Sequence, residues 1–136
     1  VIYLDTSAYL AILFQEKDSA SIEKRIKGKI LCTSTLMFFE AERNVVNQAR
    51  LQRIPIDIFD QAMERIQGDF EGFHIKDVTV DLLFTKAFPA VATPKTADLI
   101  HLRTALWFAS RGELELFVTV DIHQKKAARE FGLAVI

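Results

Sequence analysis

Cysteine is nearly absent. Cys32 is the only one in 136 residues, so no internal disulfide can form, and the chain reads as a protein of a reducing compartment with Cys32 a small buried side chain. Neither sign of charge is in excess: seventeen Lys and Arg face eighteen Asp and Glu, a formal net charge of −1. Nothing global draws such a chain to a polyanion or a membrane surface, so any nucleic acid must be met by a local patch. No apolar run approaches the roughly 20 residues of a bilayer span, and the N-terminus lacks the basic region and small-residue pattern of a signal peptide. The expectation is a soluble, cytoplasmic protein with no membrane partner. Three histidines without a His-x-x-x-His spacing, and no paired cysteines, leave no zinc-like ligand set. There is no internal repeat, low-complexity segment or flexible linker.

What is present is a chain half apolar and of the usual length for one compact domain, here residues 1–136. Val1 to Leu4 form a short apolar run that reads as a buried strand ending on Asp5, with Thr6 or Ser7 available to cap a helix from Ala8 to Phe14. A second helix runs from Asp18 or Ser19 to Gly28, and a second strand covers Ile30 to Thr33. Ser34 or Thr35 can cap a long helix to Arg50, with Met37, Ala41, Val45 and Ala49 at core spacing. Pro55 opens another amphipathic helix closed by Gly68, and these two helices should form a hairpin. Phe73 to Val78 resembles a strand. A helix from Asp77 or Thr79 to about Phe88 follows, then one beginning near Pro94 and ending at Gly112. Leu116 to Val120 is the clearest late strand, Lys125 to Phe131 a last helix, and Leu133 to Ile136 a final strand. Strands alternating with helices predict an α/β fold with a mostly parallel central sheet flanked by helices in three α/β/α layers.

Two predicted strand tips end in acids, Asp5 and Asp121, and parallel strands bring such tips to one edge. Glu40 and Asp98 lie early in helices that would leave from that edge, so four carboxylates can converge on one cleft. Together they would repel and have raised pKa values unless cations neutralised them. An oxygen-only ligand set selects Mg²⁺ or Mn²⁺, and a pair of such ions about 4 Å apart suits phosphodiester chemistry. Each acid also has a plainer reading: Asp5 as a turn residue or N-cap, Asp98 as a helix-start acid favoured by the macrodipole, Asp121 as an N-cap. Glu40 and Glu42 lie about 200° apart on their helix, so only one can face the cleft, and Glu40 is chosen. His101, three residues after Asp98, reads as orienting a neighbour rather than ligating. Phe38 and Phe39 cannot both face one core, which leaves one for a partner groove.

The segments Tyr-Leu-Asp-Thr-Ser-Ala at 3–8, Thr33 to Glu40, Thr96 to Leu102 and Val118 to Asp121 resemble, in order, the acidic motifs of PIN-domain nucleases, most closely the VapC-type toxins of toxin–antitoxin pairs. The resemblance covers nearly the whole chain. It implies a Mg²⁺- or Mn²⁺-dependent endoribonuclease with Asp5, Glu40, Asp98 and Asp121 as an acidic quartet holding one or two ions. It further implies hydroxyls from Thr6, Ser7 and Thr119 near the metals, and in-line hydrolysis of RNA leaving 5′-phosphate and 3′-hydroxyl ends. An antitoxin partner and a homodimer are implied as well. Arg43, Lys95 and Arg103, with Lys125 and Lys126 beyond Asp121, would then be the candidates for RNA phosphates. The alternatives are a PIN nuclease of RNA processing without an antitoxin and an inactive PIN-like binding scaffold. A haloacid dehalogenase-like phosphatase is disfavoured because Ser7 stands where it needs a second acid, and a receiver-like domain lacks its acidic pair.

Overall fold

The computed structural model describes residues 1–85, 89–91 and 95–136. Four short strands, β1 (Ile2–Leu4), β2 (Leu31–Ser34), β3 (Phe73–Lys76) and β4 (Leu116–Val118), form one sheet in the order β3-β2-β1-β4. Every pairing is parallel. The apolar alternation of β1 divides the core. Ile2 and Leu4 face the helices α1 (Thr6–Leu13), α2 (Ser19–Ile26), α3 (Thr35–Arg50) and α4 (Ile56–Asp69) on one side. Tyr3 faces α5 (Thr96–Ser110) and α6 (Ile122–Glu130) on the other. This is the three-layer α/β/α arrangement that the alternation of elements predicts. Cys32 is buried in the second core, and burial pushes its thiol up to about 12, which leaves it inert.

Several boundaries differ from the sequence reading, each for a local reason. Asp5, not Thr6 or Ser7, caps α1, its Oδ1 accepting from the Ala8 N–H at 2.9 Å. Gly68 lies inside α4, and the chain passes through a 3₁₀ turn at Phe70–Gly72 before β3; a lone helical glycine costs only about 1 kcal/mol, less than the packing it would forfeit by ending the helix. Helix α6 begins at Ile122, three residues earlier than predicted, because Asp121 accepts from the N–H groups of His123 and Gln124. The expected helix after Asp77 is a 3₁₀ turn at Val80–Phe84; its expected end near Phe88 and the helix start at Pro94 lie outside the described residues. The C-terminal strand reduces to one parallel bridge from Val135 to Phe117. Gly112 and Gly132 close α5 and α6 with φ of 72° and 78°, where a side chain would strain the turn.

The register positions the site. Leu4 is opposite Val118, so Asp5 and Thr119 leave the sheet side by side, and the Asp5 N–H donates to the Val118 carbonyl at 3.2 Å. β2 ends beside them, and Ser34 caps α3 there through its Oγ, which accepts from the Leu36 N–H. Glu40 is therefore carried on the second turn of a helix rooted at this edge.

Candidate active site

A pocket of about 250 Å³ opens at the carboxyl ends of β1 and β4, where ligands bind in open α/β sheets. Asp5, Glu40, Asp98 and Asp121 all line it, together with Thr6, Ser7, Leu10, Arg43, Asn44 and His101. Four carboxylates from four separate elements thus meet around one space. Glu42 is exposed on another part of α3, beside Phe39 and Phe70.

Each carboxylate is held differently. Asp5 is only 4% exposed; its Oδ1 accepts from Ser7 Oγ at 2.8 Å as well as from Ala8. Burial pushes its carboxyl up, against the opposing pull of His101 and of hydrogen bonds from Thr119, Ala8 and Ser7. Asp98, in the first turn of α5, is raised by burial and then by the negative charge of Asp121, with Lys95 and His101 opposing and Asp5 adding. Its Oδ2 is buried and has no hydrogen-bond partner among the described residues. Asp121 spends Oδ1 on the two N–H groups that start α6. Glu40 is the exception. Burial pushes it up, but hydrogen bonds from His101 and Thr6, with the charge of Arg43 behind them, outweigh burial and hold it below its ordinary value.

The hydroxyls tie the pocket together. Thr6 Oγ1 donates to Glu40 Oε2 at 2.5 Å. Ser7 Oγ lies 3.0 Å from Thr119 Oγ1 and accepts from the Val120 N–H, while Thr119 Oγ1 accepts from the Asp121 N–H. Ser7 and Thr119 therefore lock the start of α1 to the tip of β4, and with it Asp5 to Asp121. Arg43 lines the pocket and Lys95 acts on Asp98. Arg103 lies elsewhere: it lines an apolar hollow of about 570 Å³ between the 3₁₀ turn at Val80–Phe84 and α5 that carries no carboxylate.

His101 is 3% exposed and stands between the core and the pocket, with Nε2 2.8 Å from Glu40 Oε2 and 3.0 Å from Thr6 Oγ1. His74 is exposed on β3 and His123 is exposed in the first turn of α6. Two residues escaped the sequence reading. Asn44 lines the pocket one helical turn after Glu40, a position that i, i+4 spacing would have given. Gln124 is buried and donates to the Asp98 carbonyl at 3.1 Å, with its own Oε1 unpartnered; it follows Asp121 by three residues on α6.

The donor set suits a hard divalent cation. All four anionic groups offer oxygen, two have raised pKa values that a cation would relieve, and Asp98 Oδ2 is a buried acceptor with nothing to accept from. Among the described residues no group of three or more His, Cys, Asp or Glu side chains is drawn together tightly enough to hold an ion as it stands. Among the described residues no helix is long and apolar enough to cross a membrane.

No family model matches the sequence, and no curated protein matches it. Among solved structures, a chain of the crystal structure of VapBC2 from Rickettsia felis bound to a DNA fragment from their promoter superposes with a TM-score of 0.64 at 14% identity. The likeness covers 100% of this chain and 98% of that one. At that identity it establishes the architecture: the chain has a PIN-like three-layer α/β/α fold.

Proposed function

We propose that this chain is a Mg²⁺- or Mn²⁺-dependent endoribonuclease, the toxin of a VapBC-type pair. The observation that carries the reading is the meeting of Asp5, Glu40, Asp98 and Asp121 around one pocket, with Asp98 Oδ2 buried and unpartnered. Full-length similarity of fold to a VapBC2 chain supports it, and supports an antitoxin as partner. A homodimer and a cytoplasmic setting belong to the same reading.

Asp5, Asp98 and Asp121 would hold one or two ions, with Glu40 completing the set from α3. A bound divalent cation supplies neutralisation of the scissile phosphate and makes an attacking water more acidic. The chain's own groups do the rest. Arg43 and Lys95 hold flanking phosphates beside the acidic centre, which fixes the RNA for in-line attack. Water oxygen bonds to phosphorus as the P–O3′ bond breaks, one water proton passing to a pocket carboxylate and one reaching the departing 3′ oxygen. Ser7 and Thr119 keep Asp5 and Asp121 in register throughout. A nuclease of RNA processing without an antitoxin would use the same groups.

The test is cleavage of a panel of single-stranded and structured RNAs by the purified protein, with Mg²⁺, with Mn²⁺ and with EDTA. Cuts that need metal and vanish in Asp5→Asn and Asp98→Asn are expected. A folded, inhibitor-free protein that cuts nothing with either metal would favour a binding scaffold instead.

A further inference from the structure

Tyr3 belongs to β1 but faces away from α1, fully buried in the second core with its ring stacked on Phe117, 5.1 Å between centroids and 6° between planes. A phenol in such a place must pair its hydroxyl or forfeit the desolvation cost. Its partner is His101 Nδ1, 2.7 Å away and 98 residues distant in sequence. Thr33 and Thr104 also face the phenol, but they donate their own protons to the carbonyls of Leu4 and Ile100. The direction is set at the other ring nitrogen: Glu40 Oε2 lies 2.8 Å from Nε2 and a carboxylate can only accept, so Nε2 carries a proton and, in a neutral imidazole, Nδ1 accepts from the phenol. A neutral imidazole that accepts at Nδ1 carries its proton on Nε2. That proton points at Glu40 Oε2, 2.8 Å away, the same oxygen to which Thr6 donates. In the opposite tautomer a bare Nε2 lone pair would face a carboxylate oxygen.

We propose that Tyr3 is a positioning residue of the carboxylate pocket: by donating to His101 Nδ1 it selects the Nε2–H tautomer, and through that proton it fixes the Glu40 carboxylate. Tyr3 itself lines no part of the pocket. Its ring packing could be supplied by phenylalanine; the hydroxyl is what the chain Tyr3–His101–Glu40 requires. The metal-binding consequence rests on the nuclease reading above, whereas the tautomer does not.

Two readouts on the intact, metal-free protein test this. Two-bond ¹H–¹⁵N correlation spectra of the histidine rings should show His101 as a single Nε2–H tautomer, and Tyr3→Phe, which keeps the ring, should lose that uniformity. A proton on Nδ1 in the parent protein, or an unchanged spectrum in Tyr3→Phe, overturns the proposal. Binding of Mn²⁺ alone, followed by electron paramagnetic resonance, should weaken about 10-fold in Tyr3→Phe and 10- to 100-fold in His101→Leu, the range for groups that orient metal ligands. His101→Gln places an N–H near the position of Nε2 and should recover most of the affinity. Because Tyr3 acts only through the imidazole, adding Tyr3→Phe to His101→Gln should change nothing further; additive losses would mean that Tyr3 matters merely to packing and would overturn the assignment. If the parent protein bound no Mn²⁺, the nuclease reading would fall and the spectra would still decide the tautomer.

Discussion

Asp5 is at once the N-cap of α1 and a wall of the pocket, and Asp121 repeats the pattern on α6. The plain reading of each as a cap and the chemical reading are therefore compatible, and substitutions can separate them. Asp121→Asn keeps a good capping residue and removes only the charge, so its unfolding free energy should stay within about 0.5 kcal/mol of the parent while Mn²⁺ binding falls. Asp121→Ala should lose about 1 kcal/mol as well as the metal. Denaturant titrations beside Mn²⁺ titrations read both, and an Asp121→Asn protein that binds Mn²⁺ like the parent would leave Asp121 an ordinary cap. Asp98 gives a pH signature. Its carboxyl is raised above 3.8 by burial and by Asp121, so the native state binds more protons than the unfolded chain across that interval, and stability falls as pH rises through it. Asp5 has the same sign. Glu40 has the opposite one: its lowered value adds stability present above 4.5 and lost as pH falls below it. In EDTA, the stability of Asp98→Asn relative to the parent should increase as pH rises from 3.8 toward neutrality; denaturation series showing a flat difference would contradict the raised carboxyl.

At the level of elements, α3 is the part whose sequence says most about itself. Ser34 caps it, and Met37, Ala41 and Val45 are buried at the spacing that predicts a core face. Ser34→Ala should cost about 1 kcal/mol, checked by chemical denaturation, and the loss should also loosen Glu40, which rides on the same helix. The 200° between Glu40 and Glu42 lets only one acid turn inward, and the choice of Glu40 rests on the side of the helix it shares with Leu36 and on the spacing of the family motif. Where the reading failed, a capping bond or a tertiary contact overrode a local signal. Gly68 is a plausible terminator in isolation, but α4 runs past it to Asp69, where the carboxylate accepts from the Tyr9 hydroxyl at 2.9 Å. Arg103 follows Asp98 by five residues and so lies about 140° around α5, in keeping with its place on the wall of the apolar hollow. That separation was available in the sequence. The contact of Tyr3 with His101 was not, because nothing local relates two residues 98 apart.

For the whole molecule, the convergence of strand tips follows from topology. A parallel sheet with β1 at its centre, flanked by β2 and β4, puts the residues after Leu4, Ser34 and Val118 on one edge, and this is why the acids were legible as a group although each motif is short. The position of the hydroxyl ties and the register of Leu4 against Val118 needed the fold. With a net charge of −1, an RNA bound under the proposed function would have to be held by a few local cations against a nearly neutral background. Binding of single-stranded RNA to the Asp98→Asn protein should weaken with salt, and Arg43→Ala should reduce the slope of log K against log salt by about 0.7, the contribution of one phosphate contact. An unchanged slope would remove Arg43 from the interface. The most direct measurement is anomalous diffraction from crystals of the protein soaked in Mn²⁺. Manganese density in the pocket, bonded to oxygens of Asp5, Asp98 and Asp121, is the predicted result; a fully soaked crystal with no manganese among the four carboxylates would contradict the reading of this site as a divalent-cation centre.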